Sequence, residues 1–317
     1  EPYRRQRQMC IRDRNEAVYY YTPLIFIIVY SQISDEQDVE TILNYLFVLY
    51  IIAFFKNFAG QLTFANIKSI SFANSYSPFE SELAFVFLIF ECFYLYIGKR
   101  KNAIISLILC ILSFKRICML VAISFFVFSK WLVQKKPVSK KMVFAAVVFF
   151  ILLPILTCVM LNDTFEEWFY QTFHITLYEA TLSRSSRIEA VMNSGQIKYG
   201  LGSVTTYLTR YLNTMYGSNF ASRSMHNDLV QMYLECGILG SIVFTYVYMK
   251  AASVNRMSFV LICYVFFECY FNHLFGAGCT HIWVLIYLMM SIAGITTRNG
   301  ENNGEENGTN YSFYTDI

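Results

Sequence analysis

The residues able to do chemistry in this chain are gathered in one polar stretch, 183–240. It runs S-R-S-S-R-I-E-A, then K-Y-G-L-G-S, then S-M-H-N-D-L-V-Q-M-Y-L-E-C-G-I-L-G. Arg184, Arg187, Arg210 and Arg223 fall within it. Guanidinium forks bind phosphate oxygens in bidentate fashion without a metal, so one reading is a cationic pocket for phosphate or pyrophosphate. The plainer reading is a solvated loop whose long side chains snorkel toward headgroups. His226 precedes Asn227 and Asp228 at the start of an apolar run. Asn or Asp at that position caps free helix amides, which accounts for those two residues but not for His226. An imidazole at a helix mouth can titrate near neutrality and serve as general base toward an acceptor hydroxyl; a structural histidine is the alternative.

The remaining candidates are glycines and isolated charges. Gly200-Leu201-Gly202 supplies backbone freedom for a tight turn, with a phosphate cradle as the second reading. Gly237 and Gly240, in E-C-G-I-L-G, suit close helix packing in a bilayer. Glu91, Glu235 and Glu268 sit in apolar runs, where a carboxylate pairs with a base on another helix or lines a wet cavity. Lys115 and Arg116 separate two short apolar runs. They either snorkel from a hairpin or lie below the surface, where a charge is costly and functional.

The elements that must position these residues are membrane helices. The chain is 56% hydrophobic and 15% charged, with a mean hydropathy of +0.42. A soluble protein carries roughly 25% charged residues. The apolar residues cluster at 17–33, 41–59, 79–98, 102–114, 117–134, 142–162, 228–249, 257–273 and 281–297. The expected fold is therefore all-α, a polytopic membrane helical bundle with about nine spans visible and one long extracytoplasmic loop. Basic clusters at Lys99–Lys101, Lys135–Lys141, Lys250 with Arg256, and Arg298 fall on one side if each span crosses once. Such clusters mark the cytoplasmic face, so 163–226 is outside and the C-terminus inside. All four histidines, His174, His226, His273 and His281, then face outward. In the outer loop, 165–180 and 186–194 read as short interfacial helices. The nine cysteines show no C-x-x-C pair and read as small buried hydrophobes.

The expected organisation is 1–14, 15–162 with the N-terminal membrane helices, 163–226 as the outer loop, 227–298 with the C-terminal helices, and a disordered cytoplasmic tail at 299–317. Q-R-Q-M-C-I-R-D-R at 6–14 resembles a translated sequencing-library end, so residues 1–14 read as an assembly artefact. The same alternation puts Arg4, Arg5, Arg7, Arg12 and Arg14 outside, which breaks the positive-inside rule. Both observations point to missing upstream helices.

The polar stretch resembles the bacterial O-antigen polymerases and O-antigen ligases. The match is carried by Arg187 with Ile188, by Gly200 to Gly202, by His226-Asn227, and by Glu235 with Gly237 and Gly240. S-F-K-R at 113–116 looks like the family's S-x-x-R at a helix break, which adds Arg116. The resemblance implies a GT-C-like glycosyltransferase of the bacterial inner membrane, using a polyprenyl-pyrophosphate-linked glycan as donor. It would polymerise repeat units into O-antigen, capsule or exopolysaccharide, without a metal and with inversion. His226 would be the catalytic base. Arg116, Arg187, Lys115, Asn227 and Glu235 would hold pyrophosphate or glycan, and Gly200, Gly202, Gly237 and Gly240 would shape the turns. Arg184, Arg210 and Arg223 match no position of the family, and their place in a pyrophosphate site rests on the cationic-pocket reading alone. The implied partners are the lipid-linked glycan, the lipid bilayer, and a flippase and chain-length regulator of the same pathway. No cofactor and no nucleic acid are implied.

Two other functions share parts of this pattern. A ligase that moves the finished glycan to another acceptor uses the same motifs. A lipid-linked oligosaccharide flippase would share the basic interior but needs two similar halves and short outer loops. There is no Walker loop, H-E-x-x-H or serine nucleophile elbow, so the sequence does not read as a nucleotide-driven pump, zinc protease or serine hydrolase.

Overall fold

The structure is a computed structural model. It describes residues 36–61, 63–68, 80–134, 136–181, 184–194, 200–216 and 225–275, with parts of 282–290. The expected span 17–33, residues 1–14, the tail 299–317, much of 281–297, Arg223 and His281 lie outside the described residues.

All regular structure among the described residues is helical. In chain order the helices are α1 Glu36–Ala59, α2 Phe64–Lys68, α3 Leu83–Tyr96, α4 Arg100–Leu112, α5 Arg116–Val127, α6 Ser129–Leu132 and α7 Lys140–Met160. There follow α8 Asp163–Phe173, α9 Leu177–Ala180, α10 Arg184–Asn193, α11 Ser203–Tyr216, α12 Asp228–Ala252 and α13 Arg256–Phe271. The expected apolar spans at 41–59, 142–162, 228–249 and 257–273 fall on α1, α7, α12 and α13.

Among the described residues, three helices are long and apolar enough to cross a membrane, at Gln37–Ala59, Lys140–Met160 and Asp228–Ala252. Helix α7 turns large apolar side chains outward, among them Phe144, Phe149, Leu152 and Val159. The expected nine crossings are not shown: among the described residues, the runs read as spans at 79–98, 102–114 and 117–134 hold only the short helices α3, α4 and α5. They have 14, 13 and 12 residues. At 1.5 Å per residue each is about 18–21 Å long, well short of a hydrocarbon core of about 30 Å. Apolar runs of this length serve as core or re-entrant helices.

The described residues fall into two compact units, one within 139–251 and 262–280, the other within 25–138, 252–261 and 281–317. In the second of these, α3 is buried on every side from Ala84 to Tyr96, as a helix that is apolar all round must be. Helix α1 packs on it through aromatic edges: Phe47 lies 5.0 Å from Phe90 and 4.9 Å from Tyr94, ring centre to ring centre. The Tyr94 hydroxyl donates to Asn44 at 3.0 Å, satisfying the phenol inside an apolar contact. Lys99 and Glu40 close the basic end at 2.5 Å.

The other unit holds the polar stretch. Helix α7 leads directly into α8, which Asn162 caps by accepting from the Phe165 amide. A capping box of Thr176 and Glu179 starts α9. The loop folds on a cluster of Ile188 and Val191 from α10, Val204 and Leu208 from α11, and Met225 and Val230 at the start of α12. Cys158 and Leu161, at the end of α7, pack against it. This apolar seam fixes α10 and α11 beside the mouth of α12.

Candidate active site

Arg184 and Arg187 project from the first turn of α10, three residues apart and so on one face of the helix. Both are half-buried. Ile188 and Val191 lie on the apolar seam, which leaves the arginine face for polar neighbours. The start of α10 is secured by the Thr181 hydroxyl, which accepts from the Ser185 amide at 3.1 Å and donates to the Ser185 hydroxyl at 2.8 Å.

The Gly200–Gly202 turn opens α11, with φ of 152° at Gly200 and 84° at Gly202, backbone shapes that favour glycine. The amides of both glycines are already occupied. Gly202 N–H donates to Glu235 Oε2 at 2.9 Å and Val204 N–H to Glu235 Oε1 at 3.1 Å. Gly200 N–H donates to the Glu235 carbonyl at 2.8 Å. Gln231 Nε2 adds a contact of 3.1 Å to Glu235 Oε1 and another of 3.1 Å to Thr205. The cradle that the glycine pattern offers to a phosphate is thus filled by the protein's own carboxylate, a favourable charge at a helix start. Glu235 is 1% exposed. It positions α11 against α12, and the substrate-binding role drawn from the resemblance is corrected accordingly.

At the mouth of α12, Asn227 Oδ1 accepts from the Val230 amide at 3.0 Å, the capping role its residue type predicts. Asp228 does something the sequence did not announce. Its Oδ2 accepts from the amides of Leu274 and Phe275 at 2.7 and 2.9 Å, and its Oδ1 meets His273 Nδ1 at 2.5 Å. The segment after α13 is thereby tied to the start of α12. His226 holds the corner with a φ of 54°, an uncommon left-handed value for a non-glycine residue. Such conformations cluster at functional sites.

These groups share one electrostatic environment. Burial pushes the His226 imidazole down to about 4, helped by Arg187, Arg184 and His273 and opposed by Asp228. Titration near neutrality, expected from the bare residue type, is therefore corrected: His226 is neutral at pH 7. Arg184 is held below the ordinary arginine value by burial and by Arg187, with Glu268 acting the other way. Glu268 accepts from Asn272 Nδ2 at 2.7 Å. At His226 the positive neighbours outweigh Asp228. An anion placed between the arginines would reverse that field and make the imidazole a stronger base.

Of the sequence candidates, the structure brings together Arg184, Arg187, His226 and Asn227. Arg210 is exposed on α11, two residues from both Leu208 and Leu212, which face the core. Lys115 and Arg116 belong to the other compact unit. There the Lys115 ammonium lies 4.4 Å from the Phe85 ring centre, and Arg116 is exposed in the first turn of α5. Gly237 breaks α12 with φ 67° and ψ −177°, and a Cβ on Gly240 would meet the Cβ of Cys236 at 2.5 Å. Both glycines are thus required within their own helix, where the sequence suggested packing between helices. His174 ends α8 in a left-handed cap and is exposed. The residues missed from sequence are Asp228 and His273 as a pair, and Glu268 as a neighbour of Arg184. The placement of all the histidines on one predicted side was the available signal. No protein family, curated protein or solved structure matches the chain.

Proposed function

We propose that this chain is a membrane glycosyltransferase of GT-C type, acting on polyprenyl-pyrophosphate-linked oligosaccharide repeat units at the outer face of a bacterial inner membrane. The observation that carries the reading is the half-buried pair Arg184 and Arg187 set beside a neutral His226 at the mouth of α12. Two guanidinium groups on one helix face suit a pyrophosphate, which is multiply charged and needs stabilising as it departs. Their charge does the work a divalent metal does elsewhere.

His226 accepts the proton of the acceptor hydroxyl as the oxygen attacks the anomeric carbon of the donor. The bond from that carbon to the pyrophosphate oxygen breaks on the opposite side, and polyprenyl pyrophosphate leaves with the electron pair. The product is an inverted glycosidic linkage, and the proton passes from His226 to water. Asn227 holds the turn that presents the imidazole, and Asp228 with His273 fixes the adjacent wall.

The test is purified full-length protein mixed with a lipid-linked repeat unit, with products resolved by chain length. The chain should yield a ladder of polymers, and His226→Ala should lower the rate by about 10²–10⁴-fold. Full polymer formation by His226→Ala removes that residue from the mechanism. Release of free glycan or transfer only to a different acceptor would replace the polymerase by a hydrolase or ligase.

A further inference from the structure

We propose that a groove in the second compact unit, which takes no part in the chemistry above, is a binding site for one acyl chain of an anionic glycerophospholipid, with the lipid phosphate held by Arg256. The groove has a volume of about 420 Å³ and is walled by Phe125, Phe128, Trp131, Leu132 and Val260. Ser124 also lines it, but its hydroxyl is spent on the Leu120 carbonyl at 2.8 Å. The surface offered to an occupant is therefore apolar.

A cation sits at the rim. The Arg256 guanidinium lies 4.7 Å from the ring centre of Trp131, which is itself a wall of the groove. Arg256 and Val260 are one helical turn apart on α13, so the charge stands directly beyond an apolar wall residue. Arg256 Nη1 donates to Gln134 Oε1 at 2.6 Å and reaches the Trp131 carbonyl at 3.4 Å. Those contacts aim the fork and leave further N–H donors for an anion, since a guanidinium carries five.

The chain around it also carries basic residues and no acidic ones. No Asp or Glu occurs between Glu91 and Asp163, or between Glu235 and Glu268, while Lys130, Lys136, Lys140, Lys141 and Arg256 all lie in those intervals. Among the described residues no carboxylate lies within ion-pair distance of Arg256. An apolar slot with a cation at its mouth matches an amphiphile with a phosphate head. The volume suits a single acyl chain and is too small for the long tail of a polyprenol, which separates this site from the donor lipid of the proposed reaction.

The experiment is native mass spectrometry of the full chain in detergent, titrated with phosphatidylglycerol, phosphatidylcholine of the same chains, or a polyprenyl phosphate. Phosphatidylglycerol should be retained about tenfold better than phosphatidylcholine, whose trimethylammonium group offsets the phosphate charge that Arg256 meets and faces the basic surroundings. Arg256→Gln should bring the two to parity, Arg256→Lys should keep most of the preference, and Val260→Trp should reduce retention of both by filling the slot. Equal retention of the two phospholipids by the unaltered chain, or an unchanged preference in Arg256→Gln, overturns the proposal. So does displacement of phosphatidylglycerol by equimolar polyprenyl phosphate. Each variant is checked for folding by its elution volume and thermal midpoint, and Arg256→Lys keeps the test open if Val260→Trp does not fold.

Discussion

At the scale of single residues, His226 sets the pH behaviour. With its imidazole pushed down to about 4, it is neutral through most of the accessible range. For the proposed reaction, the acid limb of kcat/KM, which reports the free protein, is expected near pH 4. On the proposed reading, a pyrophosphate bound between Arg184 and Arg187 would raise the basicity of His226, so the acid limb of kcat should lie at higher pH. Coincident limbs would show that no anion binds beside the imidazole. The same shift governs stability. Between about pH 6.5 and 4 the unfolded chain binds a proton at His226 that the folded chain refuses, so stability falls as the pH drops through that window. His226→Gln should flatten this part of a thermal-midpoint profile, and Arg187→Gln should move it upward in pH. A second residue-scale expectation concerns Asp228. Removing its carboxylate leaves two backbone amides and His273 without their acceptor, and Asp228→Ala should cost about 3 kcal/mol in unfolding titrations. The type of His226 could be read from the sequence. Its neutrality could not, because that depends on burial and on arginines some forty residues earlier in the chain.

At the scale of elements, α12 carries two devices. Its interior break at Gly237 has φ and ψ values open almost only to glycine, so Gly237→Ala should cost about 1–3 kcal/mol. Gly240→Ala brings a Cβ against that of Cys236, and overpacking of this kind costs about 1–3 kcal/mol. The two costs differ in their remedy. Cys236→Gly should relieve Gly240→Ala in a double-mutant cycle and should leave Gly237→Ala unrelieved. The second device is Glu235. Glu235→Ala strips the acceptor from the Gly202 and Val204 amides and should speed protease cleavage within 200–216 more than elsewhere. Helix α11 shows how far the pattern could be read. Val204, Leu208 and Leu212 recur every four residues and face the core, a helical signal present in the sequence. It was masked by the glycine turn before it and the polar residues between. Helices at 165–180 and 186–194 were legible because their caps and aromatic spacing are local. The link from Gly202 to Glu235 was not, since nothing local marks which carboxylate a turn will receive.

At the scale of the whole molecule, the long apolar runs announced the helices to within a few residues, whereas the number of crossings was not legible. Hydropathy measures how apolar a run is; whether it faces lipid or protein depends on what packs on it, and α3 is buried by its neighbours on every side. If the proposed orientation holds, a membrane-impermeant thiol reagent added to intact cells should label Met215→Cys, at an exposed position on α11. Labelling only after the membrane is opened would reverse the sidedness. The Glu235 contact also has a bearing on the order in which the protein is made. The Gly202 and Val204 amides leave the ribosome 33 and 31 residues before the carboxylate that will receive them. During that interval the start of α11 has no acceptor of its own, and it acquires one only when the first two turns of α12 are in place. The start of α11 therefore matures after α12, the long apolar helix that follows it, which makes its folding a report on whether that helix has formed.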